Sequence, residues 1–100
     1  MGRPLRAGLL LAACVAGGVH AADDEGRRLF TTLTPACALC HTLKDAGATG
    51  AIGPSLDELK PDAERVRKVL RTGIGQMPAF TQLTESQVEA LARYVEQATH

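Results

Sequence analysis

Cys37, Cys40 and His41 limit what this chain can fold into more than any other feature of it. Spaced at i, i+3 and i+4, they project from one face of a helical turn. Three chemistries use such a cluster. A redox-active dithiol of the thioredoxin kind belongs in a βαβ setting, and no convincing strand pattern surrounds the motif. A structural zinc site takes four ligands, and beyond the first twenty residues the only histidines are His41 and His100. The third reading is covalent attachment of haem, for which C-x-x-C-H is the signature. Two thiols on one helical turn can reach the two vinyl groups on one porphyrin edge and add to them as thioethers. The next residue brings an imidazole under the iron.

The N-terminus bears on where that chemistry takes place. Met1–Arg6 carries Arg3 and Arg6 and no acid, Ala7–Val19 is almost wholly small or apolar, and Val19-His20-Ala21 ends in a small residue. This is the order of a secretory signal peptide, residues 1–21, and the apolar run is too short to span a membrane. Leu11-Ala12-Ala13-Cys14 also reads as a lipoprotein processing site, with a lipid anchor on Cys14. The apolar run continues past Cys14 to the second site, which favours cleavage after Ala21. The mature chain, residues 22–100, would then be a single domain of 79 residues, exported to the periplasm. Without Arg3 and Arg6 it has nine basic and eleven acidic residues, a net charge of −2 that gives no hint of nucleic acid. A domain this small has trouble stabilising itself by apolar burial alone. With no Trp, one Tyr and two Phe, it lacks large side chains to fill a centre.

The remaining periodicity is helical. Gly26, Leu29, Phe30 and Leu33 share one face, with Asp23, Asp24 and Glu25 expected in that helix's first turn and Pro35 beyond its end. Asp45–Pro54 is rich in glycine and reads as a loop. A second helix is expected over Asp62–Thr72, with Pro61 at its start and Gly73 at its end. Val66, Val69 and Leu70 form its apolar stripe, and Arg65, Arg67, Lys68 and Arg71 are expected to face out. Gly73–Leu83 is irregular. Thr84 and Gln87 form a capping box for a last helix over Glu85–Thr99, with Val88, Leu91, Ala92 and Val95 inward.

Taken in order, these motifs resemble those of class I, mitochondrial-type cytochromes c of the small bacterial periplasmic kind. The resemblance runs over about Asp23–Ala98: a helix with Gly26 and Phe30, then Cys37–His41, Gly53-Pro54, Met77-Pro78, and a helix with Tyr94. It implies an all-α fold with three main helices and long loops around one covalent haem c. It implies a one-electron carrier between redox partners, not an enzyme. The Pro54 carbonyl would accept the His41 Nδ1–H and fix the ring. The stretches Cys40–Gly47, Gly53–Leu56 and Gly75–Phe80 also resemble cytochrome subunits that take electrons from sulfite-oxidising molybdenum enzymes.

Met77 is the candidate second axial ligand to the iron. The only other methionine is Met1, a thioether suits a soft iron site, and a glycine-rich loop lets Met77 be aimed. Pro78 holds it extended. Phe30 and Phe80 would lean on the porphyrin or serve as plain core, and Gly26 could receive the last helix near Leu91 or Tyr94. His100, at the terminus, is expected to be frayed. Two rivals stand beside the carrier: an enzyme with an open iron position, which needs Met77 off the iron, and a fixed subunit of a dehydrogenase complex.

Overall fold

The structure, a computed structural model, describes residues 18–100, with side chains from Asp24 onward. The basic start of the chain, Cys14 and most of the apolar run lie outside the described residues.

Three helices carry the fold: α1 (Gly18–Thr32), α4 (Ala63–Thr72) and α5 (Glu85–Thr99). Between α1 and α4 lie a single turn α2 (Cys37–Cys40), two short strands β1 (Thr42–Leu43) and β2 (Ala48–Thr49), and a second single turn α3 (Leu56–Leu59). α1 begins at Gly18, so the three acids occupy its second turn and not its first. Ala21 and Ala22 are good helix formers, and nothing between them and Asp23 breaks the helix.

The region read as a loop over Asp45–Pro54 is more ordered than its glycines suggest. β1 and β2 pair antiparallel, Thr42 opposite Thr49 and Leu43 opposite Ala48, around a 3-10 turn at Lys44–Ala46. Strands of two residues are too short to leave a period of two in the sequence. The Lys44 amide donates to Asp57 Oδ2 at 2.9 Å, which ties this hairpin to α3.

Caps set the long helices. Asp62 is the N-cap of α4 and accepts the Arg65 amide at 2.8 Å, so Pro61 precedes the cap and does not occupy the first helical position. The Ala63 amide, an orphan donor of that first turn, finds Glu96 Oε2 on α5 at 3.2 Å. Thr84 and Gln87 close a capping box at the start of α5. Gly73 ends α4 with φ +68, a conformation that favours glycine.

α1 and α5 form the closest pair, and α4 packs on α5. Their approach depends on Gly26: a Cβ there would overlap Tyr94 Cβ and lie 2.7 Å from the Ala90 carbonyl oxygen. The Phe30 and Tyr94 rings meet edge to face with centroids 6.2 Å apart. Leu29, Leu43, Leu70 and Leu91 complete the buried centre.

Of the arginines expected to face out, Arg71 stays exposed and Arg67 is half-buried, and both find partners on α5. Arg67 and Arg71 reach across to α5, where Arg67 Nε lies 2.6 Å from Glu89 and Arg71 pairs with Glu85 at 2.5 Å. His100 is engaged, its Nε2–H donating to the Lys60 carbonyl at 3.0 Å, because α5 ends beside the left-handed turn at Lys60.

Candidate functional site

α2 is one turn long and turns sharply at its end. The His41 amide closes it on the Cys37 carbonyl at 3.0 Å, while His41 itself is extended, φ −119 and ψ 141. The imidazole therefore leaves the turn beside the two sulfurs. Backbone packs directly on backbone here: a Cβ at Gly50 would lie 2.6 Å from the Leu39 carbonyl carbon. The Gly53 amide donates to the Cys40 carbonyl at 2.7 Å.

That bond lays Gly53-Pro54 along the histidine. His41 Nδ1 stands 2.7 Å from the Pro54 carbonyl oxygen. A carbonyl only accepts, so Nδ1 carries the proton and Nε2 keeps a free lone pair. Gly53 forms the wall of the ring, since a Cβ there would lie 2.7 Å from His41 Cε1. Proline supplies the acceptor, and glycine lets the ring come close enough to use it.

His41 opens into a cavity of about 740 Å³. Cys37, Cys40, Pro54 and Met77 all line it, as do Phe30, Leu56, Val69 and Phe80. The cysteines are not bonded to each other. Burial pushes the Cys37 thiol up to about 11, so it is protonated at neutral pH and a poor attacker in disulfide exchange. Among the described residues no group of three or more potential metal ligands gathers.

Met77 sits on a tight turn. Its amide donates to the Ile74 carbonyl at 2.9 Å and its carbonyl accepts the Ile74 amide at 3.0 Å. Beyond it, the Phe80 amide returns to the Leu70 carbonyl at 2.7 Å. The loop is thus pinned to α4 on both sides of Met77. Ile52 and Ile74, 71% and 66% exposed, stand at the cavity's edge.

A largely apolar cavity with two unpaired thiols and an imidazole whose free nitrogen is available suits a covalently held haem. Comparison with known proteins agrees. The family model described as cytochrome C oxidase, cbb3-type, subunit III matches residues 21–95. The chain belongs to the cytochrome c family. The cytochrome is 35% identical over 86 residues to cytochrome c6 of Cyanidioschyzon merolae, covering 77% of this chain and 76% of that one. The crystal structure of the c-type cytochrome SorU from Sinorhizobium meliloti superposes with a TM-score of 0.78 at 51% identity, over 80% of this chain and 93% of that one. The all-α cytochrome c fold, a covalently bound haem c and a role as a monohaem electron carrier follow. When bound, haem c supplies a one-electron couple at its iron.

Two features of the cytochrome's site escaped sequence reasoning. Gly53 as the ring's wall was hidden inside a Gly-Pro pair noted only for its carbonyl. The other is a polar link behind the site: Tyr94 Oη donates to Asp45 Oδ2 at 2.7 Å, and Arg27 meets the same oxygen at 2.9 Å. Pairs so distant in sequence leave no local pattern.

Proposed function

We propose that Cys37 and Cys40 hold the haem as thioethers, that His41 and Met77 are the axial ligands of a low-spin iron, and that the cytochrome shuttles electrons between periplasmic proteins without being an enzyme. One observation carries the ligand assignment: the imidazole fixed on Pro54 at 2.7 Å and the side chain of Met77 line one cavity. Two protein ligands leave no open position for a substrate. The apolar lining keeps water from the iron, which favours a small reorganisation between the ferric and ferrous states. Ile52 and Ile74 form an apolar rim suited to brief docking through a small interface.

Carbon monoxide tests the ligand set. The ferrous wild-type protein should not bind it at neutral pH, whereas Met77→Ala should bind it readily. Prompt binding by the wild type would move Met77 off the iron and revive the open-site enzyme. Intact mass tests export: the N-terminus should be Ala22, and a lipidated chain starting at Cys14 would place the protein on a membrane surface instead.

For the electron donor we propose a sulfite-oxidising molybdenum enzyme. The support is the sequence resemblance over Cys40–Gly47, Gly53–Leu56 and Gly75–Phe80. Stopped-flow reduction by such an enzyme should be fast and should saturate; slow, linear kinetics would count against it. A second reading, stable membership of a larger complex, draws on the oxidase-subunit description of the matching family. Size exclusion of the native extract separates the two, since a free carrier elutes at its own mass.

A further inference from the structure

His41 and Met77 are mounted on different parts of the fold. His41 leaves α2, which packs against α1 and β2. Met77 is carried by the end of α4. The Gly73 amide donates to the Val69 carbonyl at 2.7 Å, and the Phe80 amide to the Leu70 carbonyl at 2.7 Å. A Cβ at Gly73 would lie 2.8 Å from the Met77 carbonyl oxygen and 2.8 Å from the Ala79 nitrogen, so the loop rests directly on the last turn of the helix. Met77 therefore moves with α4.

α5 supports both halves, because α1 and α4 each pack on it. The span between His41 and Met77 thus depends on how α4 is seated on α5. Buried apolar residues such as Val66 and Leu70 on α4 and Leu91 on α5 hold the core together. That attraction is non-directional and discriminates little between registers.

Polar ties do discriminate. Arg67 donates from Nε to Glu89 Oε2 at 2.6 Å and from Nη2 to Oε1 at 3.2 Å. One turn along each helix, Arg71 meets Glu85 at 2.5 Å. The Arg67–Glu89 pair is the more sheltered, with side chains 29% and 38% exposed against 49% and 83%. It is also two-pronged, so it fixes direction as well as distance. Neither Arg67 nor Glu89 lines the haem cavity.

We propose that Arg67 and Glu89 are positioning residues for Met77: their fork sets the seat of α4 on α5 and so holds the thioether at the iron. The inference rests on Met77 as an axial ligand. It adds that the grip of this ligand is governed from an ion pair outside the cavity.

Titration of the ferric holoprotein with imidazole tests this, at a mildly alkaline pH where the probe is neutral. Imidazole must displace Met77 to reach the iron, so its affinity reports how firmly Met77 is held. Met77→Ala should bind it far more tightly than the wild type does. Equal binding by those two proteins means that Met77 is off the iron; the ligand assignment then fails by itself, and the inference falls with it.

Given that reference, Glu89→Gln and Arg67→Gln should each gain about threefold in affinity for imidazole, the size that a partly exposed ion pair supports. The two substitutions change the net charge in opposite senses. Gains in the same direction therefore report the seat of α4, whereas shifts in opposite directions would report charge alone and overturn the proposal. The double variant should gain no more than either single one, since both remove the same tie. Additive gains overturn the proposal, as do unchanged affinities in both single variants. Asp45→Asn breaks the ion pair with Arg27, away from α4, and should bind imidazole as the wild type does. A gain there equal to that of Glu89→Gln would reduce the effect to general loosening of the fold and overturn the proposal as well.

Discussion

Tyr94 on α5 donates its hydroxyl proton to Asp45 Oδ2 at 2.7 Å, joining the last helix to the hairpin that follows His41. Burial first, and then the bond to Asp45, push the tyrosine from 10.0 up to about 12. The same hydrogen bond, with Arg27 next, holds the Asp45 carboxyl below its usual range. A tyrosine raised on folding contributes stability that is complete below its unfolded value and lost as pH rises through its folded value. Urea melts of the holoprotein should therefore weaken between about pH 10 and 12. In Tyr94→Phe that alkaline limb should vanish, at a cost of about 1 kcal/mol at neutral pH. An alkaline limb that persists in the variant would assign it to another group.

Acid should act on the other partner. Asp45 is depressed, so its contribution is present above the ordinary carboxylate range and fades as pH falls through its folded value. Asp45→Asn should flatten part of the acid limb of the same melts. Because Asp45 is exposed, the change should shrink in high salt. A salt-independent loss would point to the hairpin's packing and not to charge.

Gly53→Ala should strike the imidazole. The new methyl would lie 2.7 Å from His41 Cε1 and 3.1 Å from Nδ1, and the Pro54 bond at Nδ1 restrains the ring from giving way. Overpacking of this kind costs about 1–3 kcal/mol. The expected result is a destabilised holoprotein with a disturbed haem spectrum. A wild-type spectrum and melt would mean that the ring has room to move.

Gly26→Ala should be worse. The methyl meets the Ala90 carbonyl at 2.7 Å, and a helix backbone has no flexible end to yield. α1 and α5 must part, and the expected loss is about 3 kcal/mol, the upper end for overpacking. Little holoprotein should accumulate; normal yield and melting would show that the helices slide.

Removing the thiols tests what fills the molecule. Half of the 740 Å³ cavity left empty would cost about 9 kcal/mol at about 24 cal/mol per Å³, comparable with the whole stability of a small domain. The haem-free Cys37→Ala/Cys40→Ala protein should lack a cooperative melt. A native-like calorimetric transition in it would sink this expectation.

The long helices were legible because their apolar residues recur at helical spacing, and α5 also because Thr84 and Gln87 frame its start. The cluster at Cys37–His41 was legible because its chemistry needs fixed spacing over five residues. The β1–β2 hairpin was not, since two-residue strands fall below any period. The Arg67–Glu89 pair and the Arg27–Asp45–Tyr94 link were not, because they arise where α4, α1 and the hairpin reach α5 in space. The early start of α1 at Gly18 was missed because the acids at positions 23–25 looked like a first turn.

The turn from Ile74 to Met77 ties Met77 by both its amide and its carbonyl. Freezing a residue's backbone costs about 1–2 kcal/mol, and a loop of four free residues would owe that several times over whenever it closed. Here the debt is settled at folding, and only the side-chain torsions of Met77 remain to be fixed. If Met77 ligates the iron as proposed, an arm mounted this stiffly would stay beside its partner while the charge at the centre changes, which would make the protein a poor switch and a good wire.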